Sequence, residues 1–467
     1  MSIDQTFQEL GIPIILKDSI SPRGLETLKK VKQFVETECL PRDELYIKEV
    51  EARVPAKRWD KIPEVIEPLK AKAKVLGLWN LFLCKNINNN QLYNTLSLGF
   101  TNVEYGLMAK YIGKSHIAPE VTNCGAPDTG NMELLIHFGN ENQNKKYLAD
   151  LLDGKIRSAF AMTDKKVASS NALNIYCRAD QIDGDFVING TKWFISGAGD
   201  PRCAVWFLLV KTGYNEKSPY TNHSILMVDV KKALKEQPNN VRVVRHMPLF
   251  GIDDAPHGHM EINFENFKIP IERDNILGNI GEGFKMIQAR LGPGRIHHCM
   301  RLLGVAEEAL NLSINRANNR MVSNGTRLSD IESFRSALVN NQIDLENMKL
   351  LVLSAAFAID CKGSKKAKKE IAYAKIRVPK KVCDIIDWAL QMFGAAGMSD
   401  DFPIARYYIN SRTLRFADGP DEVHLKQLMK HEAKRFHEID DYFANIDKFK
   451  EEIGNPYKSS TVLPSKL

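Results

Sequence analysis

The chain is 467 residues long, with 44% apolar and 26% charged residues and a formal net charge of +7. At about 150 residues per domain that length points to three domains or layers around a sizeable core. The composition excludes wholesale disorder and collagen-like repeats, and eight scattered cysteines with no C-x-x-C spacing exclude a disulfide scaffold and a cysteine zinc site.

In chain order, the first stretch reads as helix. Residues 24–39 and 143–152 carry apolar side chains at three- and four-residue spacing. From about Arg157 to Arg273 the pattern changes to β-branched and aromatic runs: 186–188, 193–195, 204–210 and 225–230. Asp183-Gly184 and Asn189-Gly190 are turn dipeptides between them and predict antiparallel hairpins. After about Asp274 the helical period returns. Leu303, Ala306, Leu310 and Ile314 form one stripe; Leu345, Met348, Val352, Ala355 and Ile359 a second; Val382, Ile385, Ala389 and Met392 a third. Stripes this long predict an antiparallel bundle. The expected organisation is a helical domain over 1–156, a β-domain over 157–273, a helical bundle over 274–445 and a polar tail over 446–467.

The longest apolar stretches fall far short of the ~18 residues a membrane span needs. The one dense basic run, 362–369, lies between apolar helical patterns and reads as a solvated helix face rather than a nucleic-acid surface. The N-terminus has Asp4 and Glu9 but no Lys or Arg before Lys17, unlike a secretory signal or an Arg-rich presequence. The final Ser465-Lys466-Leu467 is the peroxisomal address, so an import receptor is an expected partner and the peroxisome the expected location.

No metal site is expected. His297 and His298 are adjacent, and neighbours on a helix point about 100° apart. His257 and His259 would share a strand face, but no third ligand is near. Gly278-x-x-Gly281-x-Gly283 lacks a βαβ setting and reads as a turn into the next helix. Two segments stand out by type. Phe160-Ala161-Met162-Thr163, followed by Ser169-Ser170-Asn171, puts small hydroxyls beside aromatics, which suits a flat heterocycle or simply a hydroxyl-rich loop. In the segment from Phe416 to Glu422, Asp418 stands next to Gly419-Pro420, either as a helix-end turn residue or as a base on a non-helical corner.

Taken in order, these segments resemble the acyl-CoA dehydrogenase family. The matching strings are Ala118-Pro119-Glu120, the run from Asn123 to Leu135 (NCGAPDTGNMELL), the run from Leu291 to Arg301 (LGPGRIHHCMR), Gln391-x-Phe393-Gly394-Ala395-Ala396-Gly397, and Phe416 through His424. The likeness is closest to the branch often found downstream of an aminoglycoside-phosphotransferase-like kinase domain; about a hundred residues precede it here, too few for such a domain.

The resemblance implies a mainly α fold with a middle β-domain: an N-terminal helical domain, a β-barrel-like middle domain and a C-terminal four-helix bundle. It implies FAD, an acyl-CoA substrate oxidised to the trans-2-enoyl form, a carboxylate that takes the α-proton, and a hydride passed to the flavin. By the same resemblance Asp418 is the base, where most of the family has Glu, with a pKa raised by burial. Phe160, Met162, Thr163, Phe194, Ile195 and Ser196 match flavin-contacting positions. Arg320, Gln391 and Ala395 match positions that reach a partner subunit's FAD, implying a homodimer or homotetramer, and Asp421 and Glu422 match the FAD side. Ser170, Gly292, Pro293, Gly294, Arg295 and Gly419 match the acyl-CoA side. Four positions depart from the family pattern, Asp164, Lys165, Asn171 and Ser323, and bear on FAD retention. The electron acceptor is left open between electron-transfer flavoprotein and O2, so an acyl-CoA oxidase and a non-catalytic flavin or CoA binder stand as alternatives.

Overall fold

Helix starts are written locally. Ser21 accepts the Gly24 amide at 2.9 Å, and Pro22 opens α1 (Pro22–Phe34), which continues through a π-turn into α2 (Leu40–Glu51). The computed structural model describes residues 3–85 and 90–452; Ser465-Lys466-Leu467 lies outside the described residues. After α3 (Ile66–Val75) comes α4 (Asn102–Ile112), opened by a Thr101–Glu104 capping box and buried along its whole length. Its first N–H groups also donate to the Asp360 carboxylate, at 2.8 Å from Asn102 and 3.1 Å from Val103, so a distant helix caps it. α5 (Asp128–Phe138) follows.

The middle of the chain forms one sheet from β1 (Arg157–Ala161), β2 (Arg178–Ile182), β3 (Asp185–Ser196), β4 (Cys203–Lys211), β5 (His223–Asp229), β6 (Val241–His246), β7 (His259–Pro270) and β8 (Ile276–Leu277). The order is β6-β7-β3-β2-β4-β5-β8, with β1 parallel to β4. β4 is apolar on both faces because both are covered. Val205, Phe207 and Leu209 pack into the core shared with the helices, while Trp206, Leu208 and Val210 fill the β-domain's own core.

Asp183-Gly184 is the β2–β3 hairpin turn, with φ of 50° and 85°. Asn189-Gly190 is not a turn. It lies inside β3, where the register against β7 shifts, and Gly190 is needed because a Cβ there would stand 2.8 Å from Cys177.

The helical C-terminal part comprises α6 (Gly283–Asn319), α7 (Glu332–Lys362), α8 (Lys368–Phe393), α9 (Ile404–Thr413) and α10 (Asp421–Glu452). The basic run 362–369 proves to be the α7–α8 connection rather than a helix face. Gly363 at φ 75° ends α7, and Lys362 pairs with Glu370 across the turn at 2.7 Å. Among the described residues no helix is long and apolar enough to cross a membrane.

Candidate functional site

Between α9 and α10 the chain turns a corner that carries Asp418 at φ 58° and Gly419 at φ 106°. A non-glycine residue in this region is strained unless its surroundings hold it. Two cations do so. Arg295 Nε donates to the Asp418 carbonyl at 2.9 Å, and Lys375 Nζ donates to the carbonyls of Leu414 at 2.5 Å and Gly419 at 3.4 Å. Lys375 is wholly buried on the apolar stripe of α8, between Ile371 and Val378. The corner is therefore fastened from α6 and α8.

The Asp418 side chain, 14% exposed, faces α6. A Cβ on Gly294 would stand 2.8 Å from Oδ2, so the glycine makes the room the carboxylate occupies. His298 Nε2 lies 3.5 Å from Oδ2 and Arg290 Nη1 lies 3.7 Å from Oδ1. Burial acts to raise this carboxyl's pKa. His298, Arg290 and Arg295 together outweigh it and hold the group well below the ordinary carboxylate range. The expectation of a raised pKa is thus corrected: the two arginines and the His298 ring of α6, unseen from the local sequence, win over desolvation.

Arg290 links this corner to the sheet. Its guanidinium stands 4.3 Å over the Phe160 ring, and its Nε donates to Asn131 Oδ1 at 3.2 Å. Glu133, one turn of α5 nearby, is pushed by burial up to about 8, with Arg290 opposing. Beyond Phe160, the ends of β1 and β3 lie together: Lys192 Nζ donates to the Met162 carbonyl at 2.8 Å and the Trp193 amide to the Thr163 carbonyl at 3.0 Å. Phe194 sits at φ 52° and is 42% exposed, and its amide approaches Met247 Sδ at 3.4 Å. The Ser196 hydroxyl, also exposed, is 2.9 Å from His259 Nδ1. Ile195 differs from its neighbours: its side chain is buried in the β-domain core, leaving only its backbone for any ligand. An aromatic face held in strained backbone, with half-buried Met162 and Thr163 and a hydroxyl at its edge, fits a flat heterocycle with a polar rim.

Gly292, Pro293, Gly294 and Arg295 are consecutive within α6 beside Asp418, and Ser170 is exposed on the β1–β2 connection. Arg320, Gln391 near the end of α8 and Ala395 in the turn just after it form a second, exposed set, joined where Arg320 Nη1 meets the Phe393 carbonyl at 3.5 Å. Asp421 opens α10 and is taken up by Arg415 at 2.6 and 2.9 Å, while Glu422 is exposed. Three of the four departures serve the fold. Asp164 is buried, pairs with the fully buried Lys192 at 2.8 Å and accepts the Tyr176 and Cys177 amides. Lys165 pairs with Glu261 at 2.6 Å, and Asn171 accepts the Leu173 amide at 3.2 Å. Ser323 lies on an exposed strand.

Sequence reasoning missed Arg290, Lys375 and the part that His298 plays beside Asp418. Lys375 left a signal, a lysine on an apolar helical stripe; the others required knowing which face of α6 meets the corner.

Residues 159–266 match the acyl-CoA dehydrogenase middle-domain family, and residues 281–432 match the acyl-CoA dehydrogenase C-terminal-domain family. A probable acyl-CoA dehydrogenase of Mycobacterium tuberculosis is 46% identical over 80% of this chain and 86% of its own length. A probable acyl-CoA dehydrogenase of Arabidopsis thaliana is 42% identical over 88% of this chain, which spans only 50% of that relative's length. A solved structure from Mycobacterium abscessus, assigned as an acyl-CoA dehydrogenase, superposes with a TM-score of 0.81 at 36% identity, over 89% of this chain and 99% of that one.

Proposed function

The chain belongs to the acyl-CoA dehydrogenase family, and from that premise we propose that it oxidises an acyl-CoA thioester to the trans-2-enoyl form, with Asp418 as the base for the α-proton. The observation that carries this reading is the Asp418 corner itself: a buried carboxylate on strained backbone, next to a glycine that makes room for it and tied through Arg290 to the Phe160 face. Phe160, Met162, Thr163, Phe194 and Ser196 would hold the isoalloxazine of FAD. When bound, FAD supplies the acceptor for the β-hydride.

The chain's own residues set up the proton step. Held low by its cations, Asp418 is ionised at neutral pH and ready to accept a proton. The same cations weaken it as a base, so the substrate must be acidified in turn. The positive potential of Arg290 and Arg295 favours the negative charge that develops on the thioester. Burial keeps water from competing for the carboxylate.

Asp418→Asn keeps the shape and tolerates the left-handed backbone. It is expected to slow anaerobic bleaching of bound flavin by acyl-CoA by about 10²–10⁴, with FAD content and melting temperature near wild type. Asp418→Glu is expected to retain part of the rate. Near-normal bleaching by the Asn variant would exclude Asp418 as base.

We read the acceptor as an electron-transfer flavoprotein; peroxide formed in air after bleaching would instead make the protein an oxidase, and a purified protein that no acyl-CoA bleaches, whether it holds flavin or not, would favour the non-catalytic binder. The exposed Arg320, Gln391 and Ala395 set supports an active unit of at least two subunits, checked by the mass of the flavin-loaded protein. The resemblance to the kinase-fused branch and the peroxisomal address of Ser465-Lys466-Leu467 complete the proposal; relocation on removing those three residues is the test of the address.

A further inference from the structure

α6 carries two adjacent histidines whose surroundings differ. His297 packs edge-on to Tyr105 at 4.9 Å, and burial depresses it to about 3, so it is a core ring. His298 has a partner on each nitrogen. Arg301 Nη2 lies 3.1 Å from His298 Nδ1, while Arg301 Nη1 donates to the Cys124 carbonyl at 3.2 Å. A guanidinium has only donors. Nδ1 must therefore be the bare nitrogen, and the proton of the neutral ring sits on Nε2. Nε2 is the atom that faces Asp418 Oδ2 at 3.5 Å.

We propose that His298 is a positioning residue for Asp418: Arg301 fixes its tautomer so that Nε2–H is aimed at Oδ2, turning Oδ1 toward the substrate. The inference rests on the reading of Asp418 as the base. In the step it serves, the substrate's α C–H bond breaks, an O–H bond forms at Oδ1, and the electron pair stays on the substrate carbon. The 3.5 Å separation is long for a hydrogen bond, as is common before substrate closes such a site.

The neutral state matters because a full positive charge beside Asp418 would weaken it further as a base. An imidazolium would pair with the carboxylate as a full cation and lower its proton affinity further, whereas a neutral Nε2–H orients Oδ2 through a hydrogen bond alone. The charges around the ring favour the neutral form. Burial, Arg301 and Lys375 lower its pKa; Asp418 opposes them. The other groups facing the Asp418–His298 pair are Arg290, Arg295 and His297 on α6 and His424 on α10, which is depressed by burial to about 4.

The test uses the FAD-loaded enzyme. His298→Leu is expected to slow anaerobic bleaching at saturating acyl-CoA at least about tenfold while the half-saturating concentration changes less than about threefold. His298→Gln, which keeps an N–H donor, should recover most of the rate. A Leu variant at wild-type rate, or a Gln variant as slow as Leu, overturns the proposal. If the Leu variant does not fold, the wild-type protein decides: ¹⁵N spectra of labelled histidine, assigned by the Gln variant, should show His298 with a bare Nδ1 and a protonated Nε2 through neutral pH. A protonated Nδ1 overturns it. The two readings fail separately. Normal bleaching by Asp418→Asn removes the base, whereas a dead Asn variant beside an unaffected Leu variant removes only the role of His298.

Discussion

Gly294 shows how a single residue can separate activity from stability. A methyl group there would lie 2.8 Å from Asp418 Oδ2, inside van der Waals contact. The obstacle is the end of a side chain, not backbone, so the carboxylate can turn away at little cost. The position is inside α6, where Ala is favoured over Gly by about 1 kcal/mol. Gly294→Ala is therefore expected to leave the melting temperature unchanged or raised while flavin bleaching falls by about tenfold to a hundredfold; a stable variant with the wild-type rate would mean that Oδ2 is not where the chemistry needs it. The sequence carried Asp418 and Gly294 only through resemblance, since residue type alone favoured Asp418 as a helix-end turn residue. It could not carry the charge balance, because Arg290, Arg295 and His298 reach Asp418 from a helix more than a hundred positions earlier.

At the scale of elements, the site depends on how closely α4 and α6 approach. A Cβ on Gly304 would stand 1.9 Å from the Lys110 carbonyl, and one on Gly113 would stand 2.0 Å from the Arg301 carbonyl. These are backbone-to-backbone contacts, so no side chain can yield. The crossing places Arg301, and with it the His298 ring, against the segment that carries Cys124. Gly304→Ala should gain helix propensity on paper, yet the steric term dominates: a loss of about 1–3 kcal/mol or more is expected, read by chemical denaturation, with slower bleaching as α6 is pushed outward. An unchanged stability would show that the helices have slack. Elements were legible where pattern and environment agree, as in the α7 and α8 stripes and the doubly covered β4. They misled where local chemistry was overruled. Asn189-Gly190 is a good turn pair, but the backbone of Cys177 needs a glycine in mid-strand there. The basic run 362–369 has no helix-breaking signal except Gly363, which is where α7 ends.

For the whole molecule, the helical part and the sheet are fastened by a buried ionic cluster. His257 Nε2 donates to Glu120 at 2.7 Å and its Nδ1 to Asp200 at 2.6 Å. Arg202 pairs with both carboxylates, at 2.7 and 2.8 Å, and Arg157 joins Glu120 at 3.3 Å and Asp128. With both nitrogens donating, His257 is an imidazolium and belongs to the junction, not to a pair with His259, which turns to Ser196. Desolvation works against its charge, but Glu120 and Asp200 prevail and raise it to about 9. The unfolded chain has the ordinary value near 6.5. Because the folded state holds the proton more tightly, the stabilisation is fully present below about pH 6.5 and is lost as pH rises through 9, a difference of about 3 kcal/mol. Glu133, raised to about 8, also sheds stability with rising pH, over a window that begins lower. A comparison with His257→Gln isolates the histidine. The variant should be less stable at pH 6, because two buried carboxylates lose their shared cation, and its deficit should shrink steadily toward pH 9.5. Denaturation curves at about pH 6, 7.5 and 9 read this directly; a deficit that stays constant across them would mean that His257 is neutral in the folded protein and that the junction is held by the arginines alone.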